Sequence, residues 1–244
     1  MTSKHDELSK KYQKKSDKQH VLDNPDTYIG SIENVINNTY IYDVKENKIK
    51  EKAISYIPGL YKLFDEGIVN CRDHVVRMQQ LCNINTDKNY PVSNINITIE
   101  DDGTITLYND GNGIDISMHP EYKIWIPELI FGHLRTSTNY DKSEKKIVGG
   151  KNGFGFKLVL IWSLFGEIET VDHVRKLKYV QKFSNNLDNI EPPKITKCSS
   201  KPYTKVSFKP DYVRFGIPSL NTDMKQLFHK RVIDVSAITP KNVK

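Results

Sequence analysis

The chain has 244 residues, 37% hydrophobic and 27% charged, which suits one large or two small globular domains and excludes a fibrous or disordered chain. No apolar segment follows the first Met, and its longest apolar runs, such as LVLIW, fall far short of a bilayer span, so no membrane partner is expected. The net charge of +6 divides unevenly: residues 1–20 carry +3, residues 172–244 carry +9, and the 151 residues between carry −6, so a nucleic-acid module is not the natural reading of the middle.

Residues 1–20, MTSKHDELSKKYQKKSDKQH, are polar and Lys-rich and read as an arm. Asn24-Pro25-Asp26 marks a turn, and YIYDV and AISYIP are short strand candidates. From Pro58 to Gln80, Leu60, Leu63, Phe64, Ile68, Val75 and Val76 recur at helical spacing and predict a long helix. INITIEDDGTITLYND alternates about Asp102-Gly103 as a β-hairpin does. PELIFGHLR predicts a short helix and TSTNYDKSEKK a polar loop. The glycine run GGKNGFGFKL follows, and KLVLIWSLF predicts a helix. GEIETVDH, KLKYVQKFS and TKVSFKP read as strands, and DMKQLFHKRVIDVSA as a closing helix. Helices and hairpins mix without repeat or regular strand–helix alternation, which disfavours a parallel doubly wound sheet. Cys71, Cys82 and Cys198 are odd in number with no CxxC spacing, which points to a reducing, intracellular compartment and away from disulfide or zinc scaffolding.

Three stretches can carry chemistry. On the long helix, Lys62, Glu66 and Asn70 are spaced four apart, with Asp73 and His74 on the next turn. Residues four apart share a helix face, so lysine, carboxylate and amide form a polar stripe. A carboxylate can activate water and an amide oxygen one turn on can ligate Mg²⁺; the alternative is a solvated face with a Lys62–Glu66 pair. Asn109-Asp-Gly-Asn-Gly-Ile114 follows a strand, and its two glycines allow a sharp turn and close approach of a ligand. Asn109 has the donor and acceptor an adenine edge requires; the alternative is a plain turn. Ser137, Thr138 and Asn139 offer hydroxyls and an amide to phosphate, or simply a polar turn. The glycine run is neither a Walker loop, since Phe156 follows Gly155 where lysine should stand, nor a dinucleotide fingerprint, since no third glycine follows.

Taken in order, ExxxN on a helix, NxGxG after a strand and a glycine loop entering a helix resemble the GHKL ATPases, which include gyrase-type topoisomerases, chaperone and mismatch-repair ATPases and histidine kinases. YQKKS, NPDTYIGS, PGLYKLFDEGIVN, PELIFGHLRTSTNYD and GGKNGFGFKL narrow the likeness to the N-terminal ATPase domain of eukaryotic-type DNA topoisomerase II, from about Tyr12 to the closing helix. The Asn- and Lys-rich divergence suits an enzyme of a large DNA virus, which would place it in the host cytoplasm; otherwise the nucleus is implied.

The resemblance implies an α+β fold, the GHKL (Bergerat) two-layer sandwich: a mixed, mostly antiparallel sheet with helices on one face. It implies residues 1–20 as an arm exchanged in a homodimer and 21–244 as the ATPase domain, stopping before a transducer domain whose lysine would reach the γ-phosphate. ATP and Mg²⁺ are the implied cofactors, and duplex DNA the partner of a full-length enzyme. Glu66 would be the general base, with Lys62 beside it, and Asn70 the Mg²⁺ ligand. Asn109 would read adenine, with Asp73 and Ile114 nearby. Ser137, Thr138 and Asn139 would contact ribose and phosphate. Gly150, Lys151, Asn152, Gly153, Phe154, Gly155, Phe156 and Lys157 would form the lid, with backbone N–H groups and the Lys157 ammonium on the triphosphate. Tyr12 would reach the partner's ATP site. Departures from the family pattern are Asn24 for arginine, Arg72 and His74 for alanine and asparagine, and Gly67 directly after Glu66, where glycine weakens a helix by about 1 kcal/mol relative to Ala. Within the superfamily, a chaperone or mismatch-repair ATPase is the neighbouring alternative. A basic DNA-binding module without activity is the alternative from another class.

Overall fold

A computed structural model describes residues 16–85, 88–134 and 155–244. Ser16 opens helix α1 (Asp17–Asp23), its hydroxyl accepting from the Gln19 N–H, and Val21 and Leu22 are buried. The helix therefore runs across residue 20, the end of the polar segment. Instead of a bare turn, Asn24 joins α1 to a second short helix, α2 (Pro25–Tyr28). Pro25 stands in its first turn, where a missing N–H costs nothing.

Strands β1 (Val35–Asp43) and β2 (Lys48–Tyr56) pair antiparallel from Val35↔Tyr56 to Asp43↔Lys48, longer than the strand candidates and separate from the main sheet. Helix α3 (Pro58–Ile84) is the axis of the molecule, burying Leu60, Leu63, Phe64, Ile68, Cys71, Val75 and Met78. It also buries Gly67, where an added Cβ would lie 2.4 Å from Leu107 Cδ1. The glycine after Glu66 thus has a packing reason: it lets the helix approach the strand of Leu107.

That strand is β4 (Ile105–Asp110), paired with β3 (Ile95–Ile99) around the expected Asp102-Gly103 turn. Gly103 has φ 84°, and its carbonyl accepts from the Tyr212 hydroxyl at 2.6 Å. Helices α4 (Ile126–Gly132) and α5 (Gly155–Ile161) follow. The apolar run after the glycines is helical only to Ile161; Trp162 is the turn, and Ser163 already begins β5 (Ser163–Asp172). The rest of the sheet is β6 (Leu177–Ser184), β7 (Asn189–Ile190), β8 (Lys194–Lys197) and β9 (Tyr203–Pro210). A 3₁₀ turn (Tyr212–Phe215) leads to the closing helix α6 (Thr222–Ala237).

Among the described residues the strand order is β3-β4-β9-β5-β6-β7, with β8 also on β6, and every pairing is antiparallel. Alternation sets the layers: Ile105 and Leu107 of β4 and Val206 and Phe208 of β9 are buried, while Thr106, Tyr108, Lys205 and Ser207 between them are half-exposed. Helices α3, α5 and α6 join one core with the buried side chains of the sheet. Phe64 of α3 stacks on Phe228 of α6 with centroids 4.1 Å apart, and Ile41, Ile54 and Leu227 tie the small hairpin to α6. The three cysteines are unbridged.

Candidate active site

Lys62, Glu66, Asn70, Asp73 and Arg77 lie within roughly 80° of one another around α3, given about 100° per residue. Lys62 Nζ is 2.6 Å from Glu66 Oε1. Asn70 Nδ2 donates to the Glu66 carbonyl at 2.5 Å. Only an N–H can satisfy that carbonyl, so the Asn70 Oδ1 is directed to the other side of the amide, available as a hard oxygen ligand. The other Glu66 oxygen faces α5: a Cβ on Gly155 would lie 2.9 Å from Oε2 and 3.8 Å from Asn70 Nδ2. Gly155, the last glycine of the run and the first residue of α5, therefore lies against the carboxylate, where a side chain would collide with it.

Two close approaches align α3 with β4. Gly67 meets Leu107, and His74 meets Gly111, where an added Cβ would be 3.1 Å from His74 Nε2. Seven helical residues rise about 10 Å and four strand residues about 13 Å, so the two segments run side by side between these contacts. Asn70 and Asp73 on one and Asn109 on the other fall within that bracket. Asn109 is buried, with Nδ2 donating to the Asp110 carbonyl at 2.9 Å. Asp73 is buried as well, with Arg72 Nη1 3.9 Å from its Oδ1.

The loop beyond Asn109 is strapped to β5. Asp110 turns its carboxylate back onto the Ser93 and Asn94 N–H groups at 2.7 and 2.9 Å. Gly113 passes so close to β5 that a Cβ would sit 1.9 Å from the Val171 carbonyl oxygen. Ile114 N–H donates to Thr170 Oγ1 at 3.0 Å, and Ile116 N–H to Asp172 Oδ2 at 2.9 Å. The Asp172 carboxyl, which also accepts from the Arg175 N–H and guanidinium, is held below its ordinary pKa although burial opposes this. Thr170 and Asp172 were not among the site candidates; only their places on the strand GEIETVDH would have marked them, and a threonine in a strand gives no signal of its own.

Of the expected lid, Gly150 to Lys157, the described residues are Gly155, Phe156 and Lys157. The Phe156 ring is packed edge-on against Phe131 and Phe208, with centroids 5.4 and 6.0 Å away, so its side chain belongs to the core. Lys157 is 4% exposed, and burial lowers its pKa to about 8. Tyr12, Ser137, Thr138, Asn139, Gly150, Lys151, Asn152, Gly153 and Phe154 lie outside the described residues. Arg77, absent from the candidates, extends the α3 stripe by one turn beyond Asp73. Among the described residues no group of three or more His, Cys, Asp or Glu side chains could hold a metal. A cation here would rest on an amide oxygen and on oxygens brought by its ligand, as Mg²⁺ commonly does.

The helix-backed antiparallel sheet with a carboxylate–amide helix along its centre is the GHKL fold, in the form taken by the ATPase region of type II topoisomerases. The chain resembles the crystal structure of the ATPase region of Saccharomyces cerevisiae topoisomerase II with a TM-score of 0.86 and 44% identity, covering 93% of this chain and 58% of that one. It is 46% identical over 241 residues to DNA topoisomerase 2 of Acanthamoeba polyphaga mimivirus and 45% identical over 229 residues to that of S. cerevisiae. These alignments take in 97% and 93% of this chain but only 18% and 15% of the two relatives. No family model matches the chain. Over nearly its whole length, then, the chain is a homologue of one part of DNA topoisomerase 2.

Proposed function

We propose that the chain binds and hydrolyses ATP as the N-gate domain of a type II DNA topoisomerase. The observation that carries this reading is Glu66, held between the Lys62 ammonium and the bare Cα of Gly155, with Asn70 one turn on. A carboxylate so fixed can take the proton of an attacking water, and the Lys62 ammonium at 2.6 Å orients it. Asn70 Oδ1 is the protein ligand for Mg²⁺, which when bound would offset charge on the phosphates. Asn109 reads the adenine edge beside Ile114 and the buried Asp73. Ser137, Thr138 and Asn139 contact ribose and phosphate, and Gly150 to Lys157 close over the triphosphate. Tyr12, on the arm, enters the partner's site, so that ATP closes a homodimer around a duplex carried by the full-length enzyme. The 244-residue chain binds ATP and turns it over slowly.

The test is Glu66→Gln. Affinity for ATP should hold while steady-state hydrolysis falls about 10²- to 10⁴-fold, the usual worth of a positioned base. Unchanged turnover would remove Glu66 from this role.

A further inference from the structure

One half-buried side chain on α3 has no task in this scheme. His74 lies beneath the Gly111–Asn112 turn, against the bare Cα of Gly111, whose φ of 95° favours glycine. Its Nε2 is buried and faces the Asn112 backbone, but has no partner of full hydrogen-bond geometry. The other nitrogen, Nδ1, faces Arg77 Nη1 at 3.5 Å. The contact is long, but its sense is fixed, because a guanidinium only donates. Nδ1 is thus the acceptor, and the proton of the neutral ring sits on Nε2. The ring stays neutral at ordinary pH: burial, and then the Arg77 charge, push its pKa down to about 4, and the Asn112 backbone and Asp110 carboxylate oppose this without overcoming it.

An N–H donor is therefore held out of water and only loosely matched by the Asn112 backbone of the turn that joins Asn109 to Ile114. Val92 and Met78 also line the turn at Gly111, and neither forms a hydrogen bond with Nε2. What remains within reach is the backbone of the turn itself. Buried donors are paired in nearly all native structures, and one left unpaired carries a desolvation cost that pairing would remove.

We propose that His74 is a positioning residue for the nucleotide: binding seats the Gly111–Asn112 turn on α3, a backbone carbonyl of the turn accepts the Nε2 proton, and that bond forms part of the affinity. This role rests on the reading of Asn109 to Ile114 as the adenine-reading loop. It gives His74 a signature that ordinary packing lacks. The polar ring costs stability in the free protein and returns it on binding, so stability and affinity respond in opposite directions when the ring is replaced.

The experiment compares wild type, His74→Leu, which is apolar and of similar volume, and His74→Gln, which keeps a side-chain N–H of similar reach. Thermal midpoints are taken without nucleotide, and the Kd for a non-hydrolysable ATP analogue with Mg²⁺ is taken by calorimetry. The leucine variant should melt about 2–4 °C higher and bind about 5- to 10-fold more weakly, the glutamine variant within about threefold of wild type. A leucine variant that loses stability and affinity together, or binds as wild type does, overturns the positioning role and leaves the nucleotide reading intact. A wild type that does not bind the analogue overturns the nucleotide reading and this role with it.

Discussion

Lys157 is the residue where expectation and geometry meet least simply. Its place after the glycine run marks it for the triphosphate, yet its side chain is interior, and burial lowers its pKa from 10.5 to about 8. The two positions can be told apart by protons. With a folded pKa of about 8, Lys157 in the free protein gives up its proton as the pH rises through that region. A triphosphate beside the ammonium favours the charged form and raises the pKa, so binding near pH 8 should take up protons, and at pH 6 none from this group. Calorimetry in buffers of different ionisation heat measures that uptake directly. Lys157→Met should abolish it, and equal enthalpies across buffers for the wild-type protein would mean that Lys157 keeps its interior place when nucleotide binds.

At the scale of elements, the α3–β4 contact decides where the site forms, and Gly67 is its tightest point. Alanine there gains about 1 kcal/mol of helix propensity but drives a Cβ to 2.4 Å from a buried Leu107 methyl, and overpacking of that kind costs about 1–3 kcal/mol. Gly67→Ala should therefore destabilise the protein in the wild-type background. With Leu107→Val, which lacks the clashing Cδ1, the same substitution should become stabilising. Denaturant melts of the four variants would show the change of sign, and a Gly67→Ala effect equal in both backgrounds would locate the constraint elsewhere. The spacing of Glu66 and Asn70 was legible in the sequence because helical periodicity alone puts them on one face. The strands either side of Asp102-Gly103 were legible because alternation and a turn pair agree. The helix–strand boundary at Trp162 was not: an unbroken apolar run buried on all sides has no period to distinguish helix from strand. The packing of Phe156 against the core and the strapping by Thr170 were hidden for another reason, since both depend on strands distant in sequence, β9 and β5, arriving at the same place. Arg77 was masked by the apolar pattern that identifies its helix.

Over the whole molecule, the uneven charge becomes a separation of surfaces. The basic last third supplies β6, β8, β9 and α6, and Lys178 and Lys205 on the half-exposed side of the sheet both approach Glu169, at 3.1 and 3.5 Å, away from the buried side chains that meet the helices. The acidic middle supplies α3 and the loop that carry the candidate site. Closure of two copies over nucleotide falls, in the proposed function, to the basic arm, and the structure fixes where that arm can be cut. Removing residues 1–20 would take away the Ser16 cap, half of α1 and Lys18, which pairs with Asp188, and would loosen the buried Val21 and Leu22. Removing residues 1–15 leaves all of these in place. The shorter deletion should bind a non-hydrolysable ATP analogue with wild-type affinity yet sediment as a monomer in its presence, where the intact chain should sediment as a dimer. If the deleted chain still dimerises with nucleotide, the exchange of Tyr12 between subunits is not what closes the gate. If it loses affinity by about tenfold or more while staying folded, the arm contributes to its own subunit's pocket and not to its partner's.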